Sequence, residues 1–189
     1  MKQIELSSEQ QSYNTLYKEA DDVYHDIALG FGLSDSAFSI LYAICALGDN
    51  CLQRDICNTT YTSKQTINSS IKKLEQQGIL TMTAGKGRDM HIHLTPAGQT
   101  LVATCIYPVF EIENRAFQTL SPEERTQLLH LTRRYNQALR AQANQLLMKG
   151  NGQTHEDSAI WSFYIFKTTT LYITFHYHDG IYLHLLCSG

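Results

Sequence analysis

The sequence of 189 residues lacks the patterns that directly identify an enzyme or a metal protein. It has no ordered Ser, His and Asp set for nucleophilic catalysis and no glycine-rich loop of the kind that holds phosphate groups. Its eight histidines are scattered or share predicted strands, so no group has the spacing of metal ligands. We therefore expect a protein that is not an enzyme and holds no metal or cofactor.

The five cysteines include no Cys-x-x-Cys pair, and their odd number does not suit a framework of disulfides. Cys45 and Cys105 lie in apolar runs, where a buried and unreactive thiol is the common outcome. We predict reduced thiols in a cytoplasmic protein. A redox-sensing regulator is the alternative, and Cys51 is then the thiol that is least clearly buried.

Two stretches lack the features of targeting or membrane segments. Residues 1–9 are polar, so no secretory signal is expected there. The apolar stretch 159–175 is short for a membrane span and is interrupted by Lys167 and a run of three threonines. We expect no membrane association.

The positive charge of the chain is concentrated in one region. The formal net charge is -3, but residues 1–50 carry two basic against eight acidic side chains, whereas residues 51–94 carry six against three. A protein with an acidic rear and a basic front can approach phosphate groups in one orientation. Any nucleic acid is therefore expected to bind at residues 51–94, with an affinity that falls steeply as salt rises.

A short polar helix is predicted within that basic region, from Thr62 to Leu80. Thr62 and Gln65 have the spacing of a capping box, and Gly78 is well placed to end the helix. Its apolar residues form one narrow stripe: Ile67, Ile71 and Leu74. The remaining surface offers amides, hydroxyls and lysines, which suit the base edges and phosphates of a DNA major groove.

The segments around this helix complete a recognisable motif. Residues 79–83 and 90–94 alternate as two strands, and the turn between them carries Lys86 and Arg88 at its tip. Such a tip can reach a phosphate or a minor groove. Upstream, residues 50–53 have capping-box spacing and open a short helix containing Leu52 and Ile56, with residues 58–61 as the turn.

These motifs, in this order, resemble the MarR family of winged helix-turn-helix transcription regulators over about residues 5 to 148. The most specific segments are Lys64–Ser69, Ile71–Ile79 and Gly85–Gly98. The resemblance implies a homodimer that presents each winged helix-turn-helix to one half of a palindromic operator, with the first and last helices intertwined. It also implies a small-molecule effector, bound between the dimer helices and the DNA-binding lobe.

Long helices are predicted on both sides of the motif. Apolar residues recur at threes and fours from about Ser7 to Ala28, and Ser121, Pro122 and Glu124 mark the start of a last helix. A third helix opens at Thr95 and should bend at Pro108. Because one recognition helix covers few base pairs, we favour a symmetric dimer over a monomeric helical core.

The last forty residues have a different character. Residues 149–158 are linker-like, and residues 168–186 predict a hairpin around Asp179 and Gly180. In such a hairpin His176 and His178 share one face while His184 lies on the other, so we do not expect a metal site. The family resemblance does not extend here, and the role of this segment stays open.

The predicted architecture is mainly α with a small β wing and a C-terminal β-rich extension. It comprises an N-terminal dimerisation helix (1–34), a winged helix-turn-helix DNA-binding domain (35–95), C-terminal helices that complete the dimerisation region (96–148), and a linker with a hairpin (149–189).

We predict that double-stranded DNA is bound by nine side chains: Lys64, Gln65, Thr66, Asn68, Ser69, Lys72, Lys73, Lys86 and Arg88. The amides and hydroxyls are assigned to base edges and the basic residues to phosphates or the minor groove. A repressor is favoured over an activator. The alternative from another class is a winged-helix module that binds a partner protein, which would need an exposed apolar anchor on the recognition helix.

Overall fold

A computed structural model describes residues 4–60 and 62–150, the side chains of residues 149 and 150 excepted. The fold is mainly α with a small antiparallel sheet, which confirms the predicted fold class. The elements in chain order are α1 (Ser8–Gly30), α2 (Asp35–Leu47), β1 (Cys51–Leu52), α3 (Gln53–Thr59), α4 (Lys64–Gln76), β2 (Leu80–Ala84), β3 (Met90–Leu94), α5 (Pro96–Cys105), α6 (Tyr107–Gln118) and α7 (Pro122–Gly150). The predicted hairpin and its histidines lie outside the described residues.

Most of the helices begin at a hydroxyl side chain that accepts a hydrogen bond from a backbone N–H of the first turn. Ser7 caps α1 and Ser34 caps α2 in this way. At α7 the predicted capping box is confirmed: the Glu124 N–H donates to Ser121 Oγ at 3.2 Å, and the Ser121 N–H donates to Glu124 Oε2 at 2.7 Å. Satisfying these first amides fixes where each helix starts.

The segment predicted as one helix bent at Pro108 is divided into two helices, α5 and α6. The division falls at Ile106, two residues before the proline. A proline has no N–H to donate to the carbonyl four residues earlier, and its ring crowds that carbonyl. The buried side chain of Ile106 anchors the break in the core.

One apolar core joins α2, α3, α4, the sheet and the α5–α6 segment. Its buried members are Ala28, Phe38, Ile40, Leu41, Ala43, Ile44, Ile56, Ile67, Ile71, Leu74, Leu80, Ile92, Val102, Cys105, Ile106 and Val109. Most of them come from the winged helix-turn-helix segment and from the helix break. The core therefore holds the lobe from α2 to β3 together and ties it to α5 and α6.

The long helices α1 and α7 leave most of their apolar residues exposed. Leu16 is 65% exposed and Leu131 is 49% exposed. The two helices meet where the rings of Tyr13 and Tyr135 lie 4.9 Å apart and Gln10 Nε2 donates to the Tyr135 hydroxyl at 3.1 Å. The further exposed apolar residues of α1 and α7 are Val23, Leu29, Leu128, Leu139, Leu146, Leu147 and Met148.

The predicted capping box at residues 50–53 is wrong. Asn50 has a φ of 68° and its N–H donates to the Ile92 carbonyl at 3.0 Å, while Cys51 and Leu52 form strand β1. Helix α3 begins after Leu52 without a side-chain cap. Pairing with a strand forty residues away decides this local structure. Residues 58 and 59, predicted as turn, belong to α3.

Over residues 4–60 and 62–150, no single helix is long and apolar enough to cross a membrane, although α1 and α2 pass that test as a pair joined across a bend of 96°.

Candidate nucleic-acid interface

A three-stranded antiparallel sheet carries the wing. The strand order is β1-β3-β2, with Leu80 opposite Leu94 and Ala84 opposite Met90. The sequence predicted the β2–β3 hairpin but not β1, which pairs Cys51 with Ile92. The hairpin therefore projects from a sheet that is fixed to the start of α3.

Helix α4, the candidate recognition helix, begins one residue later than predicted. Its cap is Ser63, whose Oγ accepts from the Thr66 N–H at 3.1 Å, instead of Thr62. Its end is as predicted: Gly78, at a φ of +71°, donates to the Glu75 carbonyl, and Ile79 donates to the Leu74 carbonyl. This pair of hydrogen bonds requires a residue in the left-handed conformation, which glycine adopts without strain.

The inner side of α4 is fixed by apolar packing and by one polar contact on each flank. The predicted stripe of Ile67, Ile71 and Leu74 is confirmed, because these side chains are at most 2% exposed. On one flank the hydroxyls of Ser70 and Ser36 in α2 lie 2.8 Å apart. On the other flank Gln53 Nε2 in α3 donates to Asn68 Oδ1 at 2.7 Å. The rotation of α4 about its axis is thus set from three sides.

The outer side of α4 forms an open groove of about 550 Å³, lined by Lys64, Gln65, Asn68, Ser69 and Lys72. All five were predicted as DNA-binding residues. At 100° per residue Gln65, Asn68, Ser69 and Lys72 lie on the side of the helix away from the buried stripe, and Lys64 lies beside the stripe in the first turn. The groove presents amides, a hydroxyl and ammonium groups, which is the chemistry that base edges and phosphates require.

Two further predicted residues of α4 lie on the flank that carries Ser70. Thr66 Oγ1 is 2.8 Å from Ser63 Oγ, so this hydroxyl belongs to the helix cap. Lys73 is exposed and follows Thr66 by seven residues, which places the two on the same side. The structure does not bring Thr66 and Lys73 into the groove.

The remaining predicted residues lie at the tip of the hairpin. Lys86 and Arg88 are exposed in the turn, which is closed by a bond from the Gly85 N–H to the Asp89 carbonyl at 2.8 Å. Arg54 in α3 pairs with Asp89, with its Nη1 3.2 Å from Oδ2. That ion pair neutralises the acidic residue beside Arg88 and ties the wing to α3.

Contacts between the start of α5 and the end of α4 fix the position of α4. Thr95 Oγ1 donates to the Gly78 carbonyl at 2.5 Å, and the Thr95 N–H donates to the Ile79 carbonyl at 3.1 Å. Gly98 packs directly on that Ile79 carbonyl, so that a Cβ atom there would overlap the oxygen. The close approach explains why glycine occupies position 98.

A half-buried carboxylate of α6 links the long helix α1 to α2 of the lobe. Glu113 of α6 accepts a hydrogen bond from the Tyr24 hydroxyl in α1 at 2.7 Å and from the Tyr42 hydroxyl in α2 at 2.8 Å. Burial raises the pKa of Glu113 above its ordinary value of 4.5, and the two hydrogen bonds oppose this shift. Burial and the nearby Glu113 charge raise the pKa of Tyr42, so it remains a donor.

The described cysteines have the character of protected thiols. Burial raises the pKa of Cys45 to about 12 and that of Cys51 to about 11, and it also raises the pKa of Cys57 and Cys105. The thiolate is the reactive form, so these shifts lower reactivity at neutral pH. Among the described residues, no group of three His, Cys, Asp or Glu side chains could hold a metal ion.

Sequence reasoning missed Gln53 and Arg54, which support the site from α3. The capping-box spacing assigned Gln53 a local role, whereas its partner Asn68 lies fifteen residues away. Arg54 contributes to the basic charge of residues 51–94, but its partner Asp89 is thirty-five residues away. Neither pairing has a periodic signature, so charge and spacing alone could not have revealed it.

Together, a helix-turn-helix with an exposed polar groove and a basic hairpin beside it form a winged helix-turn-helix, an architecture that many DNA-binding proteins share. A model of the MarR family matches residues 31–89. A search of curated protein sequences finds no match.

Several solved structures share the fold. The MarR family regulator NMB1585 from Neisseria meningitidis is similar at a TM-score of 0.64 and 19% identity, over 74% of this chain and 99% of that chain. S. aureus MepR, solved in complex with DNA, is similar at a TM-score of 0.56 and 19% identity, over 71% and 99%. BpsR of Bordetella bronchiseptica, whose DNA binding is regulated by 6-hydroxynicotinic acid, is similar at 0.50 and 23%, over 66% and 98%.

These matches confirm the predicted resemblance. Residues 31–89 match the MarR family model, and the described chain shares its overall fold with solved MarR family regulators.

Proposed function

We propose that this protein is a sequence-specific transcription regulator that binds double-stranded DNA through the groove of α4 and the hairpin tip. The observation that carries the proposal is the convergence of Lys64, Gln65, Asn68, Ser69 and Lys72 in one open groove. Gln65, Asn68 and Ser69 are assigned to base edges, together with Thr66 at the start of the helix. Lys64, Lys72 and Lys73 are assigned to phosphates, and Lys86 and Arg88 to the minor groove or flanking phosphates.

The packing of α4 favours DNA over a partner protein. A protein-binding helix needs an exposed apolar anchor, but Ile67, Ile71 and Leu74 are at most 2% exposed. No other residue of α4 is apolar. The exposed side chains of this helix are mostly polar or basic, and such a surface suits a nucleic acid better than an apolar protein partner.

We further propose that the protein is a homodimer on a palindromic operator. The exposed apolar residues of α1 and α7 face solvent in a single chain, and a second copy would cover them. A two-fold dimer presents two α4 helices to two half-sites about one helical turn of DNA apart. Self-complementary halves of the operator match that symmetry.

The regulator is proposed to act in the cytoplasm as a repressor, because a dimer that covers an operator excludes other proteins from the same DNA. A small-molecule effector that favours a different separation of the two α4 helices would release it. BpsR is a relative by fold whose DNA binding a small molecule regulates. A redox mechanism is less favoured, since the described thiols have raised pKa values.

An electrophoretic mobility-shift titration with the DNA upstream of the protein's own gene tests the proposal. We expect a discrete shift whose affinity falls steeply between two salt concentrations. Gln65→Ala, in the groove, should weaken binding to that DNA, whereas Gln137→Ala, on the exposed surface of α7, should not. Absence of a shift at low salt would contradict DNA binding, and equal effects of the two variants would contradict the assignment of the groove.

A further inference from the structure

We propose that Gln53 is a positioning residue that sets which end of the Asn68 side chain reads DNA, and thereby one base preference in each half-site. The inference rests on the proposed function of the α4 groove and deepens it. Gln53 is the first residue of α3, and Asn68 lies in the second turn of α4. Their amides meet where the two helices of the motif come together, at the edge of the groove.

The contact is short and directional. Gln53 Nε2 donates to Asn68 Oδ1 at 2.7 Å, and both side chains are half-buried. The Asn68 carbonyl therefore points to α3, and the Asn68 NH₂ group points away from it. An unrestrained asparagine can turn either end of its amide to a base edge by rotating about its last side-chain bond. The bond couples the Asn68 amide to that of Gln53, so the Asn68 NH₂ group stays outward as long as Gln53 Nε2 is the donor.

Gln53 is itself held in place by the sheet. Strand β1 ends at Leu52 and pairs with β3, and α3 starts at the next residue. Its neighbour Arg54 is paired with Asp89 in the wing turn. The donor that orients Asn68 is therefore anchored to the same sheet that carries the wing, and orienting it costs little side-chain freedom on DNA binding.

The consequence is a preference for an acceptor on the base edge. In the major groove guanine offers O6 and N7, thymine O4 and adenine N7, whereas cytosine offers only its N4 donor. An outward NH₂ group on Asn68 suits the first three and disfavours cytosine. If the amide were reversed, the outward carbonyl would accept from cytosine N4 or adenine N6 and would disfavour guanine and thymine.

Three substitutions of Gln53 separate these orientations. Gln53→Lys offers only donors, so it should preserve the wild-type orientation of Asn68. Gln53→Glu offers only acceptors and should reverse it, while Gln53→Met offers neither and should leave it free. Because Lys and Glu also change the net charge, Gln77→Lys and Gln77→Glu, at the exposed C-cap of α4, serve as matched charge controls.

The experiment is selection of bound sequences from a duplex library with a randomised central segment, carried out with the full chain and each variant. A motif selected by the wild type supports DNA reading, and the position at which Asn68→Ala loses preference marks the Asn68 contact. We expect Gln53→Lys to keep the wild-type base there, Gln53→Met to lose about fivefold of discrimination, and Gln53→Glu to move towards cytosine or adenine. The Gln77 variants should change affinity uniformly at all positions.

The outcomes are distinguishable. If the wild type selects a motif but all Gln53 variants keep its preference at the Asn68 position, the role of Gln53 is overturned while the proposed function stands. A shift caused by Gln53→Lys and not by Gln53→Glu would overturn the assigned orientation. If Asn68→Ala loses preference nowhere, Asn68 does not read a base. Failure of the wild type to select any motif would overturn the proposed function together with this inference.

Discussion

The winged lobe, from α2 to β3, buries its apolar residues, whereas the long helices α1 and α7, called the scaffold below, leave most of theirs exposed. In the lobe, Ile40, Leu41, Ile44, Ile67 and Leu80 are 2% exposed or less. In α1 the buried apolar residues are Tyr17 and Ala28, and in α7 no residue up to Met148 is buried. The apolar core of the lobe is therefore complete within one chain, whereas the long helices expose an apolar surface that a partner would cover. The stability of the first should depend on internal packing and that of the second on protein concentration.

The largest expected loss of stability in the lobe comes from a substitution at Gly98, where α5 contacts the end of α4. Gly98→Ala would drive a Cβ atom into the Ile79 carbonyl oxygen, which is already held by the Thr95 N–H. Backbone atoms cannot yield as a flexible side chain can, so we expect a loss of about 3 kcal/mol in the free energy of unfolding. Urea unfolding followed by circular dichroism measures it.

Gly30→Ala, at the end of the long helix α1, is the matched control. Gly30 is the last residue of α1, and a Cβ atom there would meet no other atom within 4 Å. We expect a change within about 0.5 kcal/mol. Equal losses for the two variants would show that the joint at Gly98 is not specially constrained.

The scaffold side is tested by placing a charge on the exposed apolar stripe of α7. Leu131→Glu would bring two carboxylates into a symmetric interface, and we expect dimer association to weaken about 100-fold because each charge loses water and faces a like charge. Sedimentation velocity over a concentration series measures the association. The lobe core should keep its internal packing, since Leu131 is not part of it.

Gln137→Glu adds the same charge to α7 on the side away from the stripe, where residue 137 is exposed. It should leave association within about threefold of the wild type. A wild type that is monomeric at all concentrations, or two variants that behave alike, would remove the argument for a partner on this stripe.

The function of the lobe, as opposed to its stability, is tested at the wing. Arg88→Ala removes an exposed guanidinium from the hairpin tip, and we expect about tenfold weaker binding to operator and unrelated DNA alike. The slope of log affinity against log salt should become less steep by about one for each protomer. Fluorescence anisotropy at several salt concentrations measures both quantities.

Arg115→Ala on α6 is the control, because Arg115 is exposed and pairs with Glu111 away from the wing. It should leave the salt slope unchanged. If Arg88→Ala weakened binding only for DNA changed at one base position, the role assigned to Arg88 at the minor groove or flanking phosphates would be contradicted.

The smallest effect concerns the contact that joins the two regions. Because the pKa of Glu113 is raised in the folded state, folding takes up a proton between its ordinary value of 4.5 and the higher folded value. The contribution of Glu113 to stability is therefore greatest below 4.5 and falls as pH rises through that interval. In Glu113→Gln this fall should be absent, since the amide does not titrate.

Urea midpoints of the wild type and Glu113→Gln, measured from pH 4 to pH 7, isolate the carboxylate as the difference between the two proteins. Asp26→Asn, at an exposed residue of α1, controls for the loss of a charge. A difference between wild type and Glu113→Gln that does not vary with pH would show that the carboxylate is not perturbed by folding.

The parts of this fold that could be predicted from sequence are those that depend on near neighbours. The capping box of Ser121 and Glu124, the end of α4 at Gly78 and the stripe of Ile67 and Ile71 each follow from residues within two turns. The position of the helix break near Pro108 follows from the chemistry of proline itself. These features were predicted within one or two residues.

The parts that could not be predicted depend on residues distant in sequence. Strand β1 has only two residues, Cys51 and Leu52, so it is too short to show an alternation of apolar and polar residues. It is extended because it pairs with Ile92 and His91. The contact of Gln53 with Asn68 likewise arises only when α3 and α4 are packed. The groove residues were identified because a helix has a fixed period, but their supports came from outside that helix.

The joint of Thr95 and Gly98 with the end of α4 has a mechanical consequence. It holds α4 at its last turn, while Gln65 lies at the other end of the helix, about 20 Å along the helix axis. Rotating the lobe about this joint by roughly 10° would carry the free end about 3.4 Å, the rise of one base pair. In the proposed complex with DNA, a small rotation of the lobe would therefore move the start of α4 by about one base-pair step.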